Sequence, residues 1–383
     1  MPSSPGTRLR PRRRPSKLPL VHRPFPLAGG ATGMVGDPGG RSEERNLLDR
    51  ETLRHNVACI KGQLEQLLDF SPGPGQATLV DNADWTEAMG VLDFLRDVGK
   101  HVTVNQMVAK ESVRNRMEGG NGISYTEFSY MLLQANDFRH LYERHGVEMQ
   151  MGGSDQWGNI VTGIDLIRRM LGRPAYGLTW PLLLKSDGTK FGKTASGAVW
   201  LDPERTSPYQ FRQFWVQAAD ASVGGHLLRF SLRPVDELRE VIRTHAEAPE
   251  RRIAQRLLAQ ELTELVHGPA AARAAEDAAL VLFGGDPTEA SVEALRLVAR
   301  EVPTSTVTAE QLADPVVLVH ATGLAASKGE ARRLLAQQGV RANGRALAPG
   351  GILESGSLLH GRFLLLRKGK STYHLAEVAR PGA

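Results

Sequence analysis

Three stretches of this chain carry side chains whose types and spacing could do chemistry. Gln150-Met-Gly-Gly-Ser-Asp-Gln-Trp-Gly-Asn159 sets amides, a carboxylate and a pair of glycines directly after an apolar run. The glycines admit close backbone approach, and a helix starting at Gln156 turns its N–H groups and positive dipole end toward anionic groups. Ser154 or Asp155 is expected to cap that helix. An ordinary cap needs only one such residue, not Gln150, Gly152, Gly153 and Gln156 together. Lys190-Phe-Gly-Lys-Thr194 puts two ammonium groups and a hydroxyl on a loop whose Gly192 lets the backbone approach phosphate. Such cations suit a pyrophosphate leaving group that gains charge in the transition state. Taken alone, the segment also reads as a solvated Lys-Gly loop.

The third stretch is a helix. Between Thr126 and Leu141, the residues Tyr130, Gln134 and Asp137 recur at i, i+4 and i+7 and share one face. That face is polar where a core helix presents Leu or Val. Burying it without a ligand would leave costly unsatisfied groups, so the alternatives are a binding surface or an exposed polar stripe.

The elements around these residues follow from hydrophobic periodicity. A short strand over residues 24–28 precedes a Gly-rich turn, 29–38. Leu53, Val57, Ile60, Leu64 and Leu67 mark a helix over 51–68. A buried strand over 78–80 ends in Asp81-Asn82. Helices are expected over 86–97, 104–117 and 125–144, a strand over 147–151, a helix over 156–171 and a strand over 178–184. This alternation predicts an α/β fold with a doubly wound, parallel, Rossmann-like sheet over residues 22–206, whose ligands bind beyond the carboxyl ends of the strands. Residues 207–300 read as a helical domain, with helices near 207–218, 234–246, 250–267 and 269–282. Residues 301–315, with Pro303 and a run of Ser and Thr, read as a linker. Residues 316–383 read as a small α/β module with a helix over 327–338, a tight turn at Asn343-Gly344 and short strands near 351–353 and 363–367.

Charge is distributed unevenly. The 383 residues carry a net charge of +5, yet residues 1–24 hold +7, residues 320–383 hold +7, and the segment between them −9. An acidic body with a basic C-terminal module predicts a polyanion docking at that end. Residues 1–21, with five prolines and no periodic apolar face, read as a disordered basic segment rather than a targeting peptide. No run of 18 apolar residues exists, which argues against a membrane helix. A single cysteine, Cys59, excludes an internal disulfide and suits a reducing cytoplasm. Its place on a helix predicts a packing role.

Together the two loops and the polar helix face resemble the bacterial tyrosyl-tRNA synthetases, a class I aminoacyl-tRNA synthetase family, from about His22 to the C-terminus. The resemblance implies a tyrosine–tRNA ligase that converts L-tyrosine and Mg²⁺-bound ATP to tyrosyl-adenylate and transfers it to tRNA-Tyr. It implies that Tyr130 and Gln134 hold the substrate's ammonium and backbone, that Asp137 accepts from its phenol, and that Asp37 pairs with the ammonium. Gln156 is implied near the carboxylate, with Gln150 further round the pocket. Gly153 and Asp155 are implied at the ATP ribose. Lys190, Lys193 and Thr194 would hold the departing pyrophosphate, joined by Arg41 and Arg45 from a loop. Arg41 stands where lysine is common, which keeps the charge but changes its geometry. No protein-ligated metal is implied, and the family is homodimeric through helices around 90–145.

The C-terminal segments Ser327-Lys-Gly-Glu-Ala-Arg-Arg-Leu-Leu335 and Gly339-Val-Arg-Ala-Asn-Gly344 resemble the small RNA-binding domain named after ribosomal protein S-four. Lys328, Arg332, Arg333 and Arg341 are then expected to face RNA phosphates. One family feature has no counterpart: no His-x-Gly-His occurs in the sequence, and the nearest histidine pair is His140 and His145. In the family that segment follows a first strand lining the tyrosine pocket. The sequence therefore predicts a sheet with uncovered neighbouring strands and weakened adenylation, the alternative being a catalytically impaired, synthetase-derived RNA-binding protein.

Overall fold

The computed structural model describes residues 22–36, 48–118, 122–183, 193–194, 197–353 and 355–378. The chain forms two compact units, residues 1–191 and 192–383. Among the described residues no helix is long and apolar enough to cross a membrane.

In the first unit, strand β1 (Leu27–Ala28) leads through a 3₁₀ turn to helix α1 (Arg50–Leu67). Asp49 caps α1 by accepting from the Thr52 N–H at 2.8 Å. Strand β2 (Val80–Asp81) pairs parallel with β1, Leu27 opposite Val80. Four short helices follow: α2 (Ala83–Thr86), α3 (Val91–Asp97), α4 (Val104–Val108) and α5 (Glu111–Glu118). The long helix α6 (Tyr125–His145) starts at its Ser124 cap and stops at Gly146, whose φ of 67° only glycine adopts freely. Strand β3 (Met149–Gly153), helix α7 (Trp157–Leu171) and strand β4 (Tyr176–Trp180) complete a βαβ unit, with β3 and β4 parallel. The segment expected to be one helix over 104–117 is two, broken at Ala109–Lys110, and that over 86–97 is likewise split, between Thr86 and Val91.

Helices α6 and α7 approach closely because Gly163 has no side chain; a Cβ there would lie 3.0 Å from the Phe138 ring. Phe138, Ile160, Leu166 and Ile167 are fully buried. Gly152 and Gly177 likewise let α7 lie flat on one face of β3–β4, since a Cβ on Gly177 would meet Ile160 at 2.6 Å. The other face carries Met149, Met151, Tyr176, Leu178 and Trp180, each about half exposed. Among the described residues of this unit the parallel strands occur as two separate pairs, β1–β2 and β3–β4. Cys59 is a correction: it is exposed on α1, 3.5 Å from His55 Nε2, because α1 buries only Leu53 fully.

In the second unit, β5 (Lys193–Thr194) pairs antiparallel with β6 (Gly197–Ala198). Helices α8 (Pro208–Val216), α9 (Asp220–Phe230), α10 (Val235–Glu247), α11 (Ile253–Leu282) and α12 (Val292–Glu301) follow. Ser207 and Gln210 form a capping box at the start of α8, with Pro208 at its first position. The two helices expected over 250–282 are the two halves of α11, divided at Gly268 (φ 84°, ψ 163°) ahead of Pro269.

The C-terminal part is a five-stranded sheet in the order β7-β11-β10-β8-β9: β7 (Thr304–Val307), β8 (Val340–Ala342), β9 (Arg345–Ala346), β10 (Phe363–Lys368) and β11 (Thr372–Val378). Helices α13 (Ala309–Ala313), α14 (Pro315–Ala321) and α15 (Lys328–Ala336) accompany it. Leu364 and Leu366 of β10 pack with Leu318, Val319 and Leu335 on one face, while Phe363 and Leu365 pack with Ala294, Leu295 and Val298 of α12 on the other. The segment read as a linker, 301–315, instead holds β7, paired parallel with β11, and α13. Residues 351–353 are not a strand.

Candidate functional site

In the first unit the polar face of α6 reaches two strand-to-helix junctions at once. At the carboxyl end of β2, Asp81 accepts from the backbone N–H groups of Gly30 and Ala83, both at 3.0 Å. The next residue, Asn82, is fully buried and saturated. Its Oδ1 accepts from Ala31 N–H at 2.9 Å, and its Nδ2 donates to Thr32 Oγ1 at 3.0 Å and to Asp137 Oδ2 at 2.9 Å. Trp85 Nε1 donates to Asp137 Oδ1 at 2.8 Å. Asp137 is thus 1% exposed, with one N–H donor fixed on each oxygen and acceptor capacity remaining on both. Burial pushes its carboxyl up to about 6, against the two hydrogen bonds that favour the ionised form, and neighbouring Asp81 adds to the rise.

Gln134, one turn earlier on α6, is half-buried and accepts from Asn159 Nδ2 at 2.9 Å. The same Asn159 group lies 3.4 Å from Gln156 Oε1, so one amide of α7 ties Gln134 to Gln156. Gln150 on β3 is half-buried and its Oε1 is buried with no hydrogen-bond partner among the described residues. Tyr130 is half-buried on the same helix. Gly153 ends β3, where a Cβ would fall 2.6 Å from Asp155 Oδ1 and 3.0 Å from the Leu182 side chain. Asp155 is exposed. The expected capping of α7 by Ser154 or Asp155 does not occur: Gln156 is the N-cap and no side chain caps the helix. The structure therefore gathers Gln134, Asp137, Gln156 and the newly found Asn82, Trp85 and Asn159 around the ends of β2 and β3.

Other expected residues fall elsewhere. Asp37, Arg41, Arg45 and Lys190 lie outside the described residues, and Lys193 and Thr194 are described by backbone alone, in β5. His140 stacks on Trp85 with ring centroids 4.4 Å apart, and His145 sits 5.1 Å from the Phe25 ring, so both serve aromatic packing. Among the described residues no cluster of His, Cys, Asp or Glu could hold a metal ion. In the second unit, Lys328, Arg332 and Arg333 are exposed on α15 and Arg341 on β8. Ser327 caps α15, and Glu330 accepts from the Ala326 N–H at 2.8 Å and from Lys368 at 3.1 Å, which holds its carboxyl below the usual range.

Comparison with known proteins identifies the family. Residues 16–284 match the family described as tRNA synthetases class I (W and Y). Residues 294–376 match the domain described as Tyrosine--tRNA ligase SYY-like C-terminal. The tyrosine–tRNA ligase of Roseiflexus castenholzii is 50% identical over 359 residues, covering 92% of this chain and 85% of its own length. That of Bacteroides fragilis is 48% identical over 366 residues, with coverage of 92% and 85%. A C-terminally truncated mitochondrial tyrosyl-tRNA synthetase from Aspergillus nidulans superposes with a TM-score of 0.59 at 32% identity, covering 68% of this chain and 76% of that one. The chain belongs to the tyrosyl-tRNA synthetases, within class I of the aminoacyl-tRNA synthetases.

Proposed function

We propose that this chain activates L-tyrosine with ATP and transfers it to tRNA-Tyr. The tyrosine carboxylate attacks the α-phosphorus of ATP; the bond to the β-phosphate oxygen breaks, releasing pyrophosphate and leaving tyrosyl-adenylate. A hydroxyl of the terminal tRNA ribose then attacks the acyl carbon and AMP departs. No protein nucleophile is required, so the residues act by positioning and by charge.

The observation that carries this reading is Asp137. A buried carboxylate clamped by Asn82 and Trp85 N–H groups, yet with lone pairs left over, is suited to accept from one phenol hydroxyl. Phenylalanine would leave that acceptor unpaired. Tyrosyl enzymes as a family reject phenylalanine by about 10⁵-fold for this reason, a magnitude that belongs to the family and not to this geometry. Tyr130, Gln134 and Asp37 take the ammonium side of the substrate, Gln156 its carboxylate, and Gln150 offers a buried acceptor that has no partner among the described residues. Gly153 and Asp155 take the ATP ribose. Lys190, Lys193, Thr194, Arg41 and Arg45 hold the pyrophosphate, with Mg²⁺ arriving on the nucleotide as part of the substrate. Lys328, Arg332, Arg333 and Arg341 take RNA phosphates.

The same reading includes a homodimer in the cytoplasm. Val91, Leu92, Val104 and Tyr125 are each more than 60% exposed, an apolar series on α3, α4 and the start of α6 that a second copy would cover. Matches to ligases over nine-tenths of the chain favour the enzyme over a non-catalytic RNA-binding protein. The test is ATP–pyrophosphate exchange by the purified chain with tyrosine, phenylalanine or no amino acid. Exchange with tyrosine alone supports the assignment; no exchange at any tyrosine concentration sinks it for this chain.

A further inference from the structure

A cavity of about 260 Å³ lies in the second unit, between the end of α11 with its following loop and the β8–β9 hairpin. That is just below the range of about 300–1,000 Å³ typical of whole small-molecule sites, and suits one group of a larger ligand. Three arginines line it, Arg341, Arg345 and Arg367, against one carboxylate, Asp286. Asp286 is committed to its own turn, where Oδ1 accepts from the Thr288 N–H at 2.9 Å and from the Thr288 hydroxyl at 2.7 Å. The lining is therefore cationic.

Arg367 is held in place. It sits over the Tyr373 ring, 5.8 Å from the centroid, and donates from Nη1 to the Tyr373 hydroxyl at 3.3 Å. Its Nε is buried and has no acceptor among the described residues. A donor left in that state calls for an acceptor from elsewhere. The loop makes room for the guanidinium by using Gly284, at φ +94°, where a Cβ would stand 3.2 Å from Nη1.

A cation beside a helix C-terminus ordinarily offsets the unpaired carbonyls there. Here three of the last four are already satisfied: Ala279, Leu280 and Val281 accept from the N–H groups of Phe283, Gly285 and Gly284. The helix end therefore does not account for Arg367. It accounts still less for Arg341 and Arg345, which come from the β8–β9 hairpin.

We propose that this cavity is a phosphate-binding pocket for the RNA backbone, with Arg345 and Arg367 as contacts beyond the α15 and β8 cations. The inference rests on the reading of the C-terminal module as an RNA-binding surface, with which it shares Arg341. Arg341 and Arg345 are exposed, so the pocket opens outward to a phosphate carried on a polymer. Arginine is suited to the task because its planar fork matches phosphate oxygens in pairs.

The experiment is anisotropy binding of a labelled tRNA-Tyr transcript to the full chain across a salt series. Its variants are Arg345→Ala, Arg367→Met and, on α15, Arg332→Ala, with melting temperatures to verify folding. Each lost phosphate contact lowers the slope of log K against log salt by about one. The proposal expects that loss for Arg345→Ala and for Arg367→Met. Wild-type slopes in both, with a lowered slope in Arg332→Ala, overturn the pocket and leave the RNA surface standing. Wild-type slopes in all three overturn both. Inorganic phosphate supplies the remaining arm. If it raises the melting temperature of the wild type more than that of the two pocket variants while their RNA slopes stay wild type, the pocket takes a free anion and the RNA assignment fails.

Discussion

The Asp137 cluster and the C-terminal sheet are built on opposite plans. In the first, polar groups are buried: Asn82 is fully enclosed and every one of its amide positions is used to fix Thr32, Ala31 and Asp137. In the second, the interior is apolar on both faces of β10, and Arg332, Arg333 and Arg341 stay at the surface. On the proposed function, the difference tracks what each region recognises. Telling one hydroxyl from none requires a desolvated acceptor whose mispairing is expensive. Docking a polyanion needs only cations at the right spacing, where water and salt compete and each contact is worth little. Burial thus concentrates recognition into one residue, whereas exposure spreads it over many.

The largest expected effect tests that concentration. Asp137→Asn replaces one acceptor by an NH₂ that faces the Asn82 or Trp85 donor, and removes the charge. We expect kcat/KM for tyrosine in pyrophosphate exchange to fall by at least about 100-fold, corresponding to about 2.7 kcal/mol of lost stabilisation. The dissociation constant for tRNA should stay within about twofold, since about 1.4 kcal/mol would be needed for tenfold. A loss of tRNA affinity of the same size would mean that the two regions are not separable in this way.

The second effect is one of pH. Asp137 is raised from 3.8 to about 6, so it takes up a proton as pH falls through about 6 and loses acceptor capacity. The profile of kcat/KM for tyrosine should fall about tenfold per pH unit below 6. The linked stability term has the opposite sense. Between about 4 and 6 the folded chain binds more protons here than the unfolded chain does, so this residue's contribution falls as pH rises through that window. The cost, about 3 kcal/mol, is present in full above it. An Asp137→Asn variant should lack this pH-dependent component, seen as the difference between urea-unfolding free energies measured at pH 4 and pH 7.

A third and smaller effect belongs to the exposed region. Replacing both Arg332 and Arg333 by Ala should lower the salt slope of tRNA binding by about two. At fixed salt the loss should be spread over all RNA sequences rather than confined to one base. Loss of affinity for tRNA-Tyr alone would show that these arginines read bases, and would bring the module closer in kind to the Asp137 cluster.

Legibility from sequence follows the same divide. The period of α6 makes the Gln134–Asp137 face visible, because Tyr130, Gln134 and Asp137 share one face where a core helix presents Leu or Val. Asn82 was legible only as the end of a strand, and Trp85 not at all, because a tryptophan in a short helix reads as core. Helix α9 leaves little helical signature in the sequence because Gly224 and Gly225 each weigh roughly 1 kcal/mol against a helix. It forms because Gly224 lies against Ile242 of α10, where a Cβ would be 3.3 Å away. Strand β7 reads as linker in the sequence because its pairing partner, Leu375 opposite Thr304, is some seventy residues distant and leaves no local pattern. The basic character of the C-terminal module, by contrast, needs only a count of charges, although singling out the α15 arginines rests on the resemblance to the S-four-type domain.

Asn159 links the polar face of α6 to the start of α7 at the partly exposed side of the site. It lies inside the Gly-rich segment and reads as an ordinary residue of the first helical turn, yet its Nδ2 donates to Gln134 Oε1 at 2.9 Å and approaches Gln156 Oε1 at 3.4 Å. Both glutamines are half-buried, so water can replace the lost donor, unlike at Asn82. Asn159→Ala should therefore cost only about 1 kcal/mol. If Asn159 positions the two glutamines for substrate binding alone, KM for tyrosine rises by about fivefold and kcat holds. A fall in kcat at constant KM would instead mean that the link between α6 and α7 tightens as the carboxylate attacks. The partly exposed rim of the site would then contribute to the transition state itself, and burial would cease to be what separates catalytic recognition from docking.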